Sequence, residues 1–273
     1  MGLRVNSNTS SINAQRNLVG TTNGLQRSLS RLSSGLRITR AADDAAGLAI
    51  SERFRADIRS IQQAQRNSND GISLLQIGEG ALNEVSSILI RQRELAIQAA
   101  NGTLGDEERA TVNEEFQDLT AEIDRIAAVT QFNGTTILAS GGDTTFQIGI
   151  DNTSNDRITI SSVNAQAAAL GTDSAAVSSV SGAQNALAVL DSAISQVASL
   201  RATFGTVQNR LESAIRSLAV AQENSTAAES RIRDVDFASE TAELTRNQVL
   251  QQAGISVLAQ ANVSSQAALN LLG

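Results

Sequence analysis

Two adjacent carboxylates, Asp43 and Asp44 in the stretch RAADDAAG, are the first residues of this chain whose type and spacing could do chemistry. A carboxylate pair can act as acid and base in hydrolysis or help to hold a divalent cation. The second place is the run Asp151 to Asp156, DNTSND, which begins like a calcium loop. That run has no Gly at its sixth place and no Glu at its twelfth, so it reads as a polar turn. Beyond these, the repertoire is thin. The 273 residues contain no His, no Cys and no Lys, so a Ser nucleophile has no imidazole or amine to activate it and no thiolate can bind metal. No third ligand clusters with Asp43 and Asp44, and carboxylates at that point oppose the positive end of a helix dipole. We read them as a helix cap, expect no enzyme activity, and expect no cofactor and no metal.

The elements that would position such groups are long helices. The six phenylalanines are the only aromatic residues, and no Pro interrupts the chain. Small apolar side chains suit narrow helical bundles, and the absence of Pro permits helices without kinks. Leu18, Thr22, Leu25, Leu29, Leu32 and Leu36 advance by four and three residues in turn, a coiled-coil seam. At the other end Leu250, Gly254, Val257, Ala261, Ser264, Ala268 and Leu271 repeat that spacing, beside a stripe of Ile255, Leu258, Leu269 and Leu272. The two ends are expected to pair.

Between them, one helical pattern runs from about Asp44 to Ala100, roughly 80 Å at 1.5 Å per residue, and stops at Asn101-Gly102. Asp106, Glu107 and Glu108 open the next helix, whose row of Val112, Phe116, Leu119, Ile123, Ile126 and Thr130 should fold back antiparallel. From Phe132-Asn133-Gly134 the period changes. Phe146, Ile148 and Ile150 alternate, as do Ile158 and Ile160, which predicts a β-hairpin with a loop of about six residues. Residues 161–182 read as a connector. Helix resumes near Gln184 along Leu187, Leu190, Ile194, Val197, Arg201, Phe204, Gln208, Leu211, Ile215 and Leu218, and a last helix follows Phe237. The fold class is mainly α: an elongated antiparallel helical bundle or coiled coil with a small β-hairpin region.

No apolar run reaches the length of a membrane span. The first 42 residues carry six Arg and no acid, which superficially matches a transit peptide. A discarded presequence would need no seam matched at the far end. From Asn247 onward no side chain is charged. A terminal helix without charge on its outer face should bury itself against more than one neighbour.

The blocks LSSGLRITRAADDAAGLAI (Leu32 to Ile50), RQRELAIQAAN (Arg91 to Asn101), TQFNGTTIL (Thr130 to Leu138), QNRLESAI (Gln208 to Ile215), SRIRDVDFASE (Ser230 to Glu240) and LQQAGISVLAQAN (Leu250 to Asn262) together resemble bacterial flagellin. The resemblance covers nearly all of the chain. It implies a terminal domain of residues 1–43 with 232–273 at a filament core, and a rod domain of 44–231 with hairpin and connector at 132–182. It implies no variable outer domain, hence a minimal flagellin. The function it implies is self-polymerisation into the bacterial flagellar filament for motility, with a hook-filament junction protein of the same fold as the alternative. Leu18, Leu25, Leu29, Leu32, Leu36, Leu250, Val257, Leu258, Leu269 and Leu272 become the expected polymerisation residues.

Further partners implied by the resemblance are an export chaperone at the C-terminal helix, the junction and cap proteins, and the vertebrate Toll-like receptor for flagellin, with neither nucleic acid nor membrane. Arg91, Leu95 and Glu115 match positions by which flagellins engage that receptor. The expected location is extracellular, in the filament, reached without a cleaved signal peptide. Three positions depart from the family pattern. Ala42 and Thr39 stand where Gly and Asn are frequent, which puts a left-handed turn there in doubt. Arg233 replaces a common Glu and is expected to alter a local salt bridge.

Overall fold

The computed structural model describes residues 7–139 and 142–270, with side chains through Val263. Six α-helices and four short strands occur among them: α1 (Thr9–Ser34), α2 (Ala45–Ala99), α3 (Asp106–Val129), β1 (Gln131–Phe132), β2 (Thr135–Thr136), β3 (Thr144–Gln147), β4 (Arg157–Ile160), α4 (Ala167–Leu170), α5 (Val180–Arg233) and α6 (Phe237–Asn270). They form two compact units. One is made by the two ends of the chain, up to Ile58 and from Glu223; the other is Arg59–Gln222.

In the first unit α1 and α6 pack antiparallel. Asn8 donates through Nδ2 to the carbonyl of Ala261 at 2.9 Å, Ser11 bonds Asn262 at 3.0 Å, and Arg31 faces Glu240 at 3.5 Å. Helix α1 starts with the Asn8 side chain accepting from the Ser11 amide, and it stops at Gly35, whose φ of 73° is comfortable only without a Cβ. The chain then crosses the α5–α6 turn as an antiparallel bridge between Leu36 and Asp234. The Arg37 amide bonds the Arg233 carbonyl at 2.6 Å, and the Val235 amide bonds the Gly35 carbonyl at 3.0 Å.

Of the acidic pair, Asp44 caps α2 as its position suggested, and Asp43 instead closes the turn before it. Asp44 accepts from the Gly47 amide at 2.8 Å and starts α2. Asp43 accepts from the amides of Thr39 and Arg40 and from the Thr39 hydroxyl at 3.0–3.2 Å. No left-handed residue is needed at Ala42: Asn133 is the positive-φ residue among the described non-glycines. Thr39 closes the turn with its hydroxyl instead. Arg233 pairs with Glu52 at 2.8 Å.

In the second unit α2, α3 and α5 enclose a core that includes Leu75, Leu82, Leu89, Phe116, Ile123, Leu190, Phe204 and Leu211. Two glycines on one face of α2 set how closely neighbours approach. A Cβ on Gly78 would lie 2.6 Å from Cε2 of Phe204, and one on Gly71 would lie 3.1 Å from a Leu211 methyl. Helices α2 and α3 are locked in register by a buried amide: Gln92 donates to the Phe116 carbonyl at 3.1 Å and to the Thr120 hydroxyl at 2.8 Å. The elbow between them is held by Arg109, only 4% exposed, which donates to the carbonyls of Ala99 and Leu104 and so satisfies the end of α2.

Three details differ from the sequence reading. Asn133-Gly134 closes a small hairpin of its own, β1 with β2, with φ of 49° and 80°. The second hairpin, β3 with β4, pairs Phe146 with Ile158 but ends at Gln147, so Ile148 and Ile150 lie in a longer connection that contains a 3-10 turn at Ser154–Asp156. Residues 161–182 are no loose connector, because Val163, Ala165, Ala167, Leu170, Thr172 and Val177 are buried. One stripe of α3 holds that strap by its backbone. Asn113 accepts from the Val177 amide, Gln117 donates to the Ala175 carbonyl, and Asp124 accepts from the Ala167 amide, all at 2.8–2.9 Å.

Candidate assembly and recognition surfaces

Two sets of residues carry the functional expectations, one in each unit. In the first unit the seam between α1 and α6 is built from Leu18, Leu25, Ser28 and Leu32 against Leu244, Asn247, Gln251, Gly254, Leu258 and Ala261, all buried or half-buried. Leu18 lies over Gly254, where a Cβ would meet its methyl at 3.3 Å, and Gly24 lies against the Asn247 amide. The structure therefore brings together Leu18, Leu25, Leu32 and Leu258 of the expected set, and leaves Leu36 half-buried beyond the end of α1.

Leu29, Leu250 and Val257 do not join them. They are 49%, 49% and 57% exposed. The physical reason is that an α6 with apolar residues on a wide face offers more than one stripe. Gly254 with Asn247 and Gln251 admits the close approach of α1, whereas Leu250 and Val257 lie one position off that line. The Leu269 side chain and all of Leu272 lie outside the described residues.

What remains is an uncovered apolar surface on both helices: Ile12, Val19 and Leu29 on α1, and Val249, Leu250, Ile255, Val257 and Val263 on α6. Aliphatic side chains of this size each gain about 1.5–3 kcal/mol when moved fully from water into a packed contact. The residues missed by sequence reasoning are Ile12, Val19, Val249 and Val263, which fall outside a strict four-three alternation.

In the second unit Arg91 of α2 and Glu115 of α3 meet as an exposed pair. Nε and Nη2 of Arg91 donate to one Glu115 oxygen at 3.1 and 2.9 Å, and Nη1 donates to Glu94 at 3.1 Å. Glu115 first and Glu94 second hold the Arg91 guanidinium above its ordinary value, so it stays charged. Leu95 is placed differently from its two companions. It is 1% exposed and packed in the core, so it supports α2 from beneath and offers no surface. The apolar side chains that do reach the surface near Arg91 are Ile90 and Ile97.

Among the described residues no group of three or more His, Cys, Asp or Glu side chains could hold a metal ion, and no helix is long and apolar enough to cross a membrane.

The family models described as bacterial flagellin N-terminal helical region and bacterial flagellin C-terminal helical region match residues 5–142 and 187–272. A flagellin of Halalkalibacterium halodurans is 47% identical over 98% of this chain and 99% of its own length. A flagellin of Bacillus subtilis is 43% identical over 99% of this chain and 100% of its own. Among solved structures, Bacillus cereus flagellin is 35% identical and superposes with a TM-score of 0.51 over 56% of this chain and 88% of its own. A Vibrio parahaemolyticus protein described as flagellar hook-associated shares the fold at 14% identity, with a TM-score of 0.58 over 70% of this chain and 100% of its own.

Proposed function

The chain belongs to the bacterial flagellin family, structural proteins and not enzymes, and from that premise we propose that it polymerises with itself into the extracellular flagellar filament. The observation that carries this reading is the uncovered aliphatic surface shared by α1 and α6. A subunit that leaves such a surface open at both chain ends, with no charge after Asn247 to keep copies apart, covers it with further copies. A head-to-tail contact whose rotation does not close yields an open helix rather than a ring.

In this reading residues 1–43 and 232–273 form the filament-core domain and 44–231 the domain outside it. The ends alone bury too little to offset ordering at about 1–2 kcal/mol per residue, so they order fully only between neighbours. The same weakness suits export in an unfolded state without a cleaved signal, with a chaperone shielding the part of α6 after Asn247 that carries no charge. Free subunits present Arg91 and Glu115 to the Toll-like receptor, and Leu95 contributes by shaping α2 beneath them.

The test is seeded growth. Purified chain is added to sheared filament fragments beside a variant lacking residues 1–43 and 232–273, and elongation is followed by light scattering and electron microscopy. Long filaments from the intact chain alone support the proposal. An intact chain that only caps the seeds overturns it in favour of a hook-filament junction role.

A further inference from the structure

We propose that Asn101 is a built-in ageing site, at which the side-chain amide is lost spontaneously through a cyclic imide with the backbone of Gly102. The chain holds three Asn-Gly pairs, at 23–24, 101–102 and 133–134. They share one chemistry. The Gly amide nitrogen attacks the Asn side-chain carbonyl carbon, a C–N bond forms, ammonia leaves, and a five-membered imide results. Water then opens either imide carbonyl, giving Asp or iso-Asp. No enzyme and no oxidant takes part. What decides the rate is whether the backbone between Asn and Gly can turn to bring the two atoms together.

The structure separates the three pairs. Asn23 and Gly24 lie inside α1, where the backbone is fixed and the amides are engaged in the helical ladder. Asn133 and Gly134 form a two-residue hairpin loop, clamped on both sides by the pairs Phe132 with Thr135 and Gln131 with Thr136. Asn101 follows the last residue of α2 and is held only by long bonds. Its amide reaches the Gln98 carbonyl at 3.2 Å, its carbonyl accepts from Leu104 at 3.3 Å, and its side-chain oxygen accepts from the Thr103 amide at 3.3 Å. Asn101 and Gly102 are both exposed, so water has access.

The consequence is local and directional. The product places a carboxylate just past the carbonyl end of α2, whose last turn has no basic residue, and a negative charge there is disfavoured by the helix dipole. Iso-Asp also lengthens the backbone inside the turn that Arg109 brackets through Ala99 and Leu104. Old subunits would therefore differ from new ones at the α2–α3 elbow. The proposal does not depend on assembly.

The experiment uses the intact chain, incubated at mildly alkaline pH and body temperature. Cleavage after Arg places Asn101 on the peptide Glu94–Arg109, apart from Asn23 and Asn133, and mass spectrometry follows replacement of NH by O at each. The expected result is loss at Asn101 about tenfold or more faster than at Asn133, since the clamped site must first open. Equal rates at the two, or an Asn101 that keeps its amide, overturn the proposal. Gly102→Val is the second variant. Gly102 lies outside the left-handed region with open space around its Cβ position, so the fold is kept while a branched side chain blocks the attack. The rate at Asn101 should fall about tenfold or more in that variant, with the fold-change again set by access to the reactive conformer. An unchanged rate sinks the imide route.

Discussion

Replacing Val257 by Ser probes whether the uncovered stripe drives polymerisation. Val257 is 57% exposed and makes no part of the α1–α6 seam, so the change leaves the subunit's own packing intact. Its exposed part amounts to roughly 80–90 Å² of largely apolar surface, and at about 25 cal/mol per Å² its burial between copies contributes about 2 kcal/mol. Each 1.4 kcal/mol is a factor of ten in an equilibrium constant, so the subunit concentration below which filaments dissolve should rise about thirtyfold. The assay is the residual soluble chain in equilibrium with filaments, measured by sedimentation at several total concentrations. Helix content and melting of the free chain serve as controls and should not move. A critical concentration within a factor of two or three of the parent would refute the assignment of this stripe to the contact between copies. Leu258→Ser is the informative contrast: Leu258 belongs to the intrachain seam, so it should weaken the α1–α6 pairing as well as growth.

Four further outcomes are expected. Gly78→Ala should destabilise the chain by about 1–3 kcal/mol through overpacking against Phe204, whereas Gly80→Ala, with open space around it, should stabilise α2 by about 0.5–1 kcal/mol; thermal melting separates the two signs. Arg109→Leu leaves the carbonyls of Ala99 and Leu104 without their donor, and a loss of about 2–3 kcal/mol should appear in denaturant titration.

The Glu52 carboxyl is held below its ordinary value chiefly by the hydrogen bond from Arg233, and Asp43 likewise by the Thr39 hydroxyl. Both groups therefore add stability that is complete above the ordinary carboxylate range and is lost as pH falls through their lowered values. Protection of the Arg37 and Val235 amides against hydrogen exchange, relative to the unstructured rate at each pH, should fall on acidification, and less steeply in Glu52→Gln. Arg91→Ala should weaken receptor signalling by free subunits at least severalfold while Ile150→Ala leaves it unchanged, read in reporter cells; equal responses would remove Arg91 from that surface.

Much of this architecture is legible in the residues because local signals agree with one another. Asn101-Gly102 followed by Asp106, Glu107 and Glu108 places the α2–α3 elbow within a residue of where it falls, since a stop signal and a dipole-matched start adjoin. The strap at 161–182 escaped notice for a physical reason. Its buried positions, 163, 165, 167, 170, 172 and 177, keep one spacing for only three residues and are mostly small side chains, and it is held by its backbone to Asn113, Gln117 and Asp124, so no sustained period marks it. The α6 register was hidden for the opposite reason. Several stripes satisfy the heptad spacing, and the one chosen uses Asn247, Gln251 and Gly254, because small and polar residues permit the approach of α1. Leu95 shows the limit of carrying a role across by resemblance. A motif fixes which residues recur, but only packing says which of them faces out.

The bond from Asn8 to Ala261 joins residues 253 positions apart. Contacts of such separation form late, because nearly the whole chain must be in place before the closure entropy is recovered. For a chain that emerges one end first, α1 has no partner until α6 arrives. The pairing of the ends thus acts as a test of completeness: a chain interrupted anywhere along its length leaves α1 without its mate, and only a finished one can present the combined surface.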